Sequence, residues 1–165
     1  MPPLKITYVE PIERTGLCFK LSNNKLLTVN LETLLTAPGY EVLHDAGLFK
    51  TVQVEEWGHG VEWPALDIGI SVETLVRLER EQAGRAVPVQ TFNDWMQRNH
   101  LSLAAAADAL GITRRTVIYY HCGHKPIPLY IGLACEGWEA RKRAGRSSTL
   151  RRGRSLPNSL QCTVA

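Results

Sequence analysis

The sequence predicts two halves of different class: an α+β half, built as a small antiparallel sheet with a helix against it, followed by an all-α half. Three observations carry this. Apolar residues alternate with polar ones from Thr15 to Leu31, the period of half-buried strands. The 23-residue run Leu101–Gly123, LSLAAAADALGITRRTVIYYHCG, has the spacing of two short helices around a glycine. Residues 1–84 carry 7 Lys/Arg against 12 Asp/Glu, whereas residues 85–165 carry 12 against 4. An acidic front and a basic back suit a regulatory or assembly module joined to a nucleic-acid module.

In the first half, Lys5–Val9 is β-prone. Thr15–Leu21 places Leu17, Phe19 and Leu21 on one face, and Lys25–Leu31 repeats the pattern with Leu27, Val29 and Leu31. Ser22-Asn23-Asn24 between them is suitable turn chemistry, so a hairpin is expected. A second hairpin is expected from Phe49–Trp57 through Gly58-His59-Gly60 to Val61–Trp63, ended by Pro64, which has no N–H to give a ladder. Ser71 is placed to cap a helix with Val72, Leu75, Val76 and Leu78 on its inner face. This half is expected to end near Gly84, and Gly84-Arg85-Ala86-Val87-Pro88 reads as a joint, with 85–88 as the linker.

The second half begins at Val89, where Thr91 is placed to cap a helix with Phe92, Trp95 and Met96 inside and Asp94 in its first turn. In the run that follows, Ala107 is small enough for two helices to cross closely. Gly111 is able to end the first helix in a left-handed conformation, and Val117 plugs the second helix onto the first. Ser102 and Thr113 stand where each helix needs an N-cap. The pattern is that of a helix-turn-helix, although a plain helical hairpin shares much of it. A further helical pattern runs from Pro128 to about Arg143, with Ile131, Ala134 and Trp138 as a stripe expected to pack beneath the second helix of the pair.

The run, with Gly123-His124-Lys125-Pro126-Ile127-Pro128 after it, resembles the DNA-binding domain of phage-repressor-type (lambda repressor/Cro-like) regulators over roughly Val89–Arg143. The resemblance implies an all-α, repressor-like helix-turn-helix domain whose recognition helix begins at Thr113. It implies DNA contacts from Ser102, Thr113, Arg114, Arg115, Thr116, Tyr119 and Lys125, with Val117 and Tyr120 facing the core. The chain departs from the family at Leu103, where a DNA-clamping Gln is common, and at Ile118, a position usually polar. An isoleucine there suits a thymine methyl or a protein surface.

The first half resembles the domain of unknown function 2442 family over about residues 4–82. The resemblance rests on the alternation from Leu17 to Leu31, on Leu48-Phe49-x-x-Val52 at the start of a strand, and on Val61-Glu62-Trp63-Pro64 leading to Asp67-Ile68 and a helix. It implies a compact α+β fold, no catalytic residues and, in some members, linkage to toxin–antitoxin loci.

Other chemistry is thin. His121-Cys122-x-His124 is short of a fourth zinc ligand, so no metal is expected. His59 and Glu62 have no nucleophile or phosphate loop beside them, and Trp57 and Trp63 read as core and sheet-face residues. No cofactor and no enzymatic activity are expected. Cys18, Cys122, Cys135 and Cys162 lack CxxC spacing and read as free thiols. No 18-residue apolar run is present and the N-terminus lacks an apolar signal core, so the expected location is the cytoplasm.

Residues 85–140 balance 5 basic against 4 acidic groups; the surplus lies in 141–165, whose Arg-, Ser- and Gly-rich part from 144 reads as a disordered basic tail. The tail offers sequence-independent phosphate contacts or merely solubility. Two functions follow. One is a transcription regulator that binds double-stranded DNA as a homodimer, its first half serving assembly or partner sensing. The other is an antitoxin or interaction module whose helical half, through Leu103 and Ile118, meets a protein such as a toxin, with or without promoter autoregulation.

Overall fold

The structure, a computed structural model, describes residues 2–152, with side chains described through residue 145. The first half holds two three-stranded antiparallel sheets. In the first, β1 (Ile6–Ile12) pairs with β2 (Gly16–Leu21), and β2 with β3 (Leu26–Asn30). Leu17, Phe19, Leu21, Val29 and Leu31 are buried, as the alternation requires, while Leu27 is half-buried. The chain turns through Asn24, whose φ of 65° is one that asparagine tolerates better than most residues.

The second sheet consists of β4 (Gln53–Val54), β5 (Gly60–Trp63) and β6 (Ile68–Ser71). It corrects the expected hairpin in two ways. The long strand Phe49–Trp57 is absent, because Asp45 takes its beginning into α2 (Ala46–Phe49): its Oδ1 accepts from the Gly47 and Leu48 N–H groups at 2.8 and 3.0 Å. Its end is taken by a turn in which Glu55 Oε2 accepts from the Trp57 and His59 N–H groups, leaving Trp57 63% exposed. The strand β6, after Pro64 has closed β5, was not anticipated. Its Ile-Gly-Ile-Ser sequence is too short and too interrupted by Gly69 to announce a strand.

Two short helical segments, α1 (Glu32–Leu35) and α2, and α3 (Val72–Gln82) close this half. Ser71 caps α3, its Oγ accepting from Thr74 N–H, and Val72 and Leu75 enter the core. Trp63 lies at the centre of that core. It is fully buried, tilted against Phe49 at 5.7 Å, and its indole N–H donates to the Phe49 carbonyl at 2.9 Å.

The expected linker is a bound segment. Arg80 O accepts from both Arg85 and Ala86 N–H, the Arg85 guanidinium pairs with the buried Glu79 carboxylate, and Val87 N–H donates to Ile127 O at 2.8 Å. The helix α4 (Val89–Arg98) begins two residues before Thr91, which therefore caps nothing. Pro88 precedes it at φ −57°, a conformation set by its ring where a missing N–H costs nothing. Asp94 accepts from Gln90 within the helix. Phe92, Trp95 and Met96 are buried with Ala106, Ala107, Val117, Tyr120, Ile127, Ile131 and Cys135 in a second core.

The remaining helices are α5 (Leu103–Leu110), α6 (Arg114–His121) and α7 (Leu129–Arg152). The last runs nine residues past the expected end at Arg143, each added residue contributing one backbone bond after nucleation. Residues 153–165 of the expected tail lie outside the described residues. Trp138 corrects another expectation: it meets Trp95 of α4 edge-on at 5.7 Å, because α7 packs on α4 and α5. No helix among the described residues is long and apolar enough to cross a membrane.

Candidate nucleic-acid interface

Two capped helices at a tight turn build the site. Ser102 Oγ accepts from Ala105 N–H at 3.1 Å and starts α5. Gly111 ends it at φ 66°, and Ile112 N–H returns to Ala107 O at 3.1 Å. Ala106 and Ala107, both buried, admit the second helix at close range, and Val117 is fully buried against them. Thr113 Oγ1 then accepts from Thr116 N–H at 3.1 Å, and the two threonine hydroxyls bond at 2.9 Å. Val117 and Tyr120 therefore point inward, Tyr120 edge-on to Phe92 at 5.9 Å. The opposite face of α6 carries Arg115, exposed, and Tyr119, half-buried, while Arg114, also exposed, stands in the first turn.

Tyr119 gathers the cations. Arg115 Nε donates to its hydroxyl at 2.7 Å while the guanidinium lies 5.4 Å from its ring centroid. Lys125 Nζ stands over the same ring at 4.9 Å, and the His124 ring meets it edge-on at 6.4 Å. The loop returns because His124 N–H donates to Tyr119 O at 2.9 Å, after Gly123 has turned the chain at φ 73°. The structure thus brings Arg115, Tyr119 and Lys125 into one basic-aromatic cluster. Arg114, Thr113 and Thr116 lie at the start of the same helix, and Ser102 stands apart at the start of α5.

Leu103 is half-buried and packs against the second core, so its apolar side chain has a structural use. His121 is held from α4, with Nδ1 2.8 Å from Asn93 Oδ1 and its carbonyl accepting from Asn93 Nδ2. Among the described residues no three His, Cys, Asp or Glu side chains converge as metal ligands. His59 makes no hydrogen bond to Glu62; Glu62 lies opposite Gln53 across β4–β5. Cys18, Cys122 and Cys135 are free thiols, and Cys162 lies outside the described residues.

A second polar cluster was not anticipated. Glu139 of α7 accepts from Asn99 Nδ2 at 2.6 Å and Arg98 Nε at 3.0 Å, with Arg143 Nη2 at 3.6 Å. The hydrogen bonds from Asn99, then from Arg98, hold its carboxyl below the usual range. Lys142 lies over the Trp138 ring at 4.8 Å. The cluster adjoins the segment that leads to Ser102. The i, i+4 pairs Glu139–Arg143 and Trp138–Lys142 were its local signals; the Asn99 and Arg98 partners of Glu139 are 40 and 41 residues away.

Beside the place where Arg77 of α3 meets Gly123, a cleft of about 320 Å³ opens between α3 and the loop after α6, lined by Leu4, Val72, Val76, Arg80, His124 and Pro126.

The fold is thus an α+β module followed by four helices bearing a basic-aromatic face. Residues 6–81 match the model of DUF2442, a family of proteins of unknown function. The chain is similar along its length to a solved structure, that of a candidate DNA-binding protein, NE0471, from Nitrosomonas europaea ATCC 19718. The identity is 37%, 97% of each chain is covered, and the TM-score is 0.51. No protein of curated function matches the chain.

Proposed function

We propose that the protein is a DNA-binding transcriptional regulator of two domains. In it, α5 and α6 form a phage-repressor-like helix-turn-helix and α6 is the recognition helix. The observation that carries this is the exposed part of α6: a Thr113-capped helix whose buried Val117 and Tyr120 leave Arg115 and Tyr119 on the opposite side, with Arg114 exposed in the first turn and Lys125 folded beside Tyr119. In this reading Arg114 and Arg115 meet guanine edges or phosphates, and Thr116 and Tyr119 border them. Ser102 and Thr113 offer the N–H groups of two helix N-termini to phosphates. The name of the Nitrosomonas protein supports the same reading. The protein is not an enzyme; the domain formed by residues 1–84 serves assembly or partner sensing; and the working form is a homodimer spanning half-sites about 34 Å apart.

An antitoxin that presents this face to a protein loses one of its two supports, because Leu103 is spent on the core. Ile118, half-buried, remains compatible with a thymine methyl.

The test is fluorescence anisotropy of the full chain on DNA upstream of its own gene against a scrambled duplex. The native fragment is expected to bind more tightly. Arg114→Ala/Arg115→Ala should cost about 1–3 kcal/mol for each base edge that the arginines read. Unchanged affinity, or equal binding to both duplexes, sinks the assignment.

A further inference from the structure

Arg114 and Arg115 are both exposed on α6, but only Arg115 is held. Its Nε donates to the Tyr119 hydroxyl, one turn further along the helix, at 2.7 Å. Tyr119 is half-buried and steadied in turn by the loop after α6. Its carbonyl accepts from His124 N–H at 2.9 Å, and the Lys125 ammonium stands 4.9 Å from its ring centroid. The side chain of Arg114 makes no hydrogen bond or ion pair among the described residues. A side chain fixed before contact loses less rotamer freedom on binding, so the two arginines are not equivalent.

A guanidinium offers its N–H donors in a planar fork. With Nε spent on Tyr119, what remains of Arg115 is the outer edge, Nη1 and Nη2, which make no bond or ion pair among the described residues. The Tyr119 hydroxyl accepts from Nε and keeps its own proton to give, and the Lys125 ammonium has donors only. The cluster therefore presents donors alone. In the major groove guanine sets two acceptors, O6 and N7, side by side. Adenine sets an acceptor beside its N6 amino donor, and cytosine and thymine offer one polar group each. The two Nη groups are matched twice by guanine, and at adenine one of them meets another donor.

We infer that Arg115 reads a guanine through its two Nη groups, and that Tyr119 is the positioning residue that turns the guanidinium end-on toward the base. The inference rests on the regulator reading above and divides the roles of the two arginines, leaving Arg114 to a phosphate.

Selection of duplexes from a randomised library by the full chain, sequenced for wild type and variants, tests it. The wild type is expected to fix a G·C pair in each half-site that Arg115→Ala releases. Tyr119→Phe removes one hydroxyl and keeps the ring beside Lys125. It should lower the preference for guanine at that pair about 10-fold, and leave the other pairs and the salt dependence of affinity as they were. Arg115→Ala/Tyr119→Phe should be no worse at that pair than Arg115→Ala, because Tyr119 acts through Arg115. A Tyr119→Phe chain that keeps its guanine preference, one that weakens on every sequence alike, or a further loss in the double variant overturns the inference. So does an Arg115→Ala chain that changes only in salt dependence, which would make Arg115 a phosphate contact. The regulator reading fails separately: a wild type that enriches no sequence removes both, whereas a sequence-selective wild type with an indifferent Tyr119→Phe strikes this inference alone.

Discussion

Gly111 and Gly123 both hold left-handed backbone, at φ +66° and +73°, but their surroundings differ. A Cβ at Gly111 would meet nothing within 4 Å. At Gly123 it would lie 3.3 Å from Arg77 Nε, 3.4 Å from Arg77 Cζ and 3.5 Å from Val89 Cγ2. Arg77 is not free to swing away. Its side chain is 15% exposed and its Nη1 is bonded to Glu81 at 2.8 Å. Gly111→Ala should therefore cost only the backbone term, about 1–2 kcal/mol. Gly123→Ala should cost that term plus an overpacking term of about 1–3 kcal/mol. Urea denaturation followed by tryptophan fluorescence reports the difference. A double-mutant cycle isolates its cause: in an Arg77→Ala background Gly123→Ala should fall back to about the Gly111→Ala cost. Equal costs at the two glycines, or no coupling between residues 77 and 123, would refute the claim that the loop after α6 is pressed against α3.

Trp63→Phe leaves the Phe49 carbonyl without its buried donor, and should cost about 1–3 kcal/mol beyond the lost ring volume. Trp57→Phe, at an exposed turn, should be near neutral in the same denaturation assay, and equal effects would contradict the burial. The Cys135 thiol is pushed up to about 12, chiefly by burial. Its contribution to stability is therefore full below the ordinary thiol value of 9.0 and declines as pH rises from there toward 12. Alkylation at pH 8 with peptide mapping should label Cys122 in the native protein, and Cys135 only after denaturant is added. Equal native labelling of the two would be the contrary result.

What was legible in the sequence was what a few neighbouring residues decide. Leu17, Phe19, Leu21, Val29 and Leu31 alternate because one face of their hairpin is buried, and a period of two survives any tertiary arrangement. Ser71, Ser102 and Thr113 cap through bonds to N–H groups three residues on, and Gly111 turns the chain by its own φ. Where several local signals competed, the outcome was not legible. Asp45 at the start of α2 outweighed the β-propensity of Phe49, and Pro88 outweighed Thr91. Contacts across the sequence were also hidden. Trp138 found Trp95, Glu139 found Asn99, and Arg77 settled on Gly123, none of which periodicity encodes. Of the candidate site, the composition of the α6 face was readable. The gathering of Arg115 and Lys125 on Tyr119 was not, because it needs the loop to turn back at Gly123.

That gathering bears on the electrostatics of the second half. With 5 basic against 4 acidic groups, residues 85–140 have too little net charge to attract a polyanion by sum alone. Placement compensates. Asp94 is turned to Gln90, and Glu139 is taken up by Asn99 and Arg98. Neither acid makes a contact with the α6 face, whose Arg114, Arg115 and Lys125 stand without a carboxylate partner among the described residues. Tyr119 holds two of these cations close together, at a cost in mutual repulsion that its ring and hydroxyl partly offset. A phosphate or a guanine edge brought to this face would relieve the repulsion while keeping the ring contacts. Local potential, rather than the chain's net charge, is therefore the quantity that binding at α6 would follow as salt is raised.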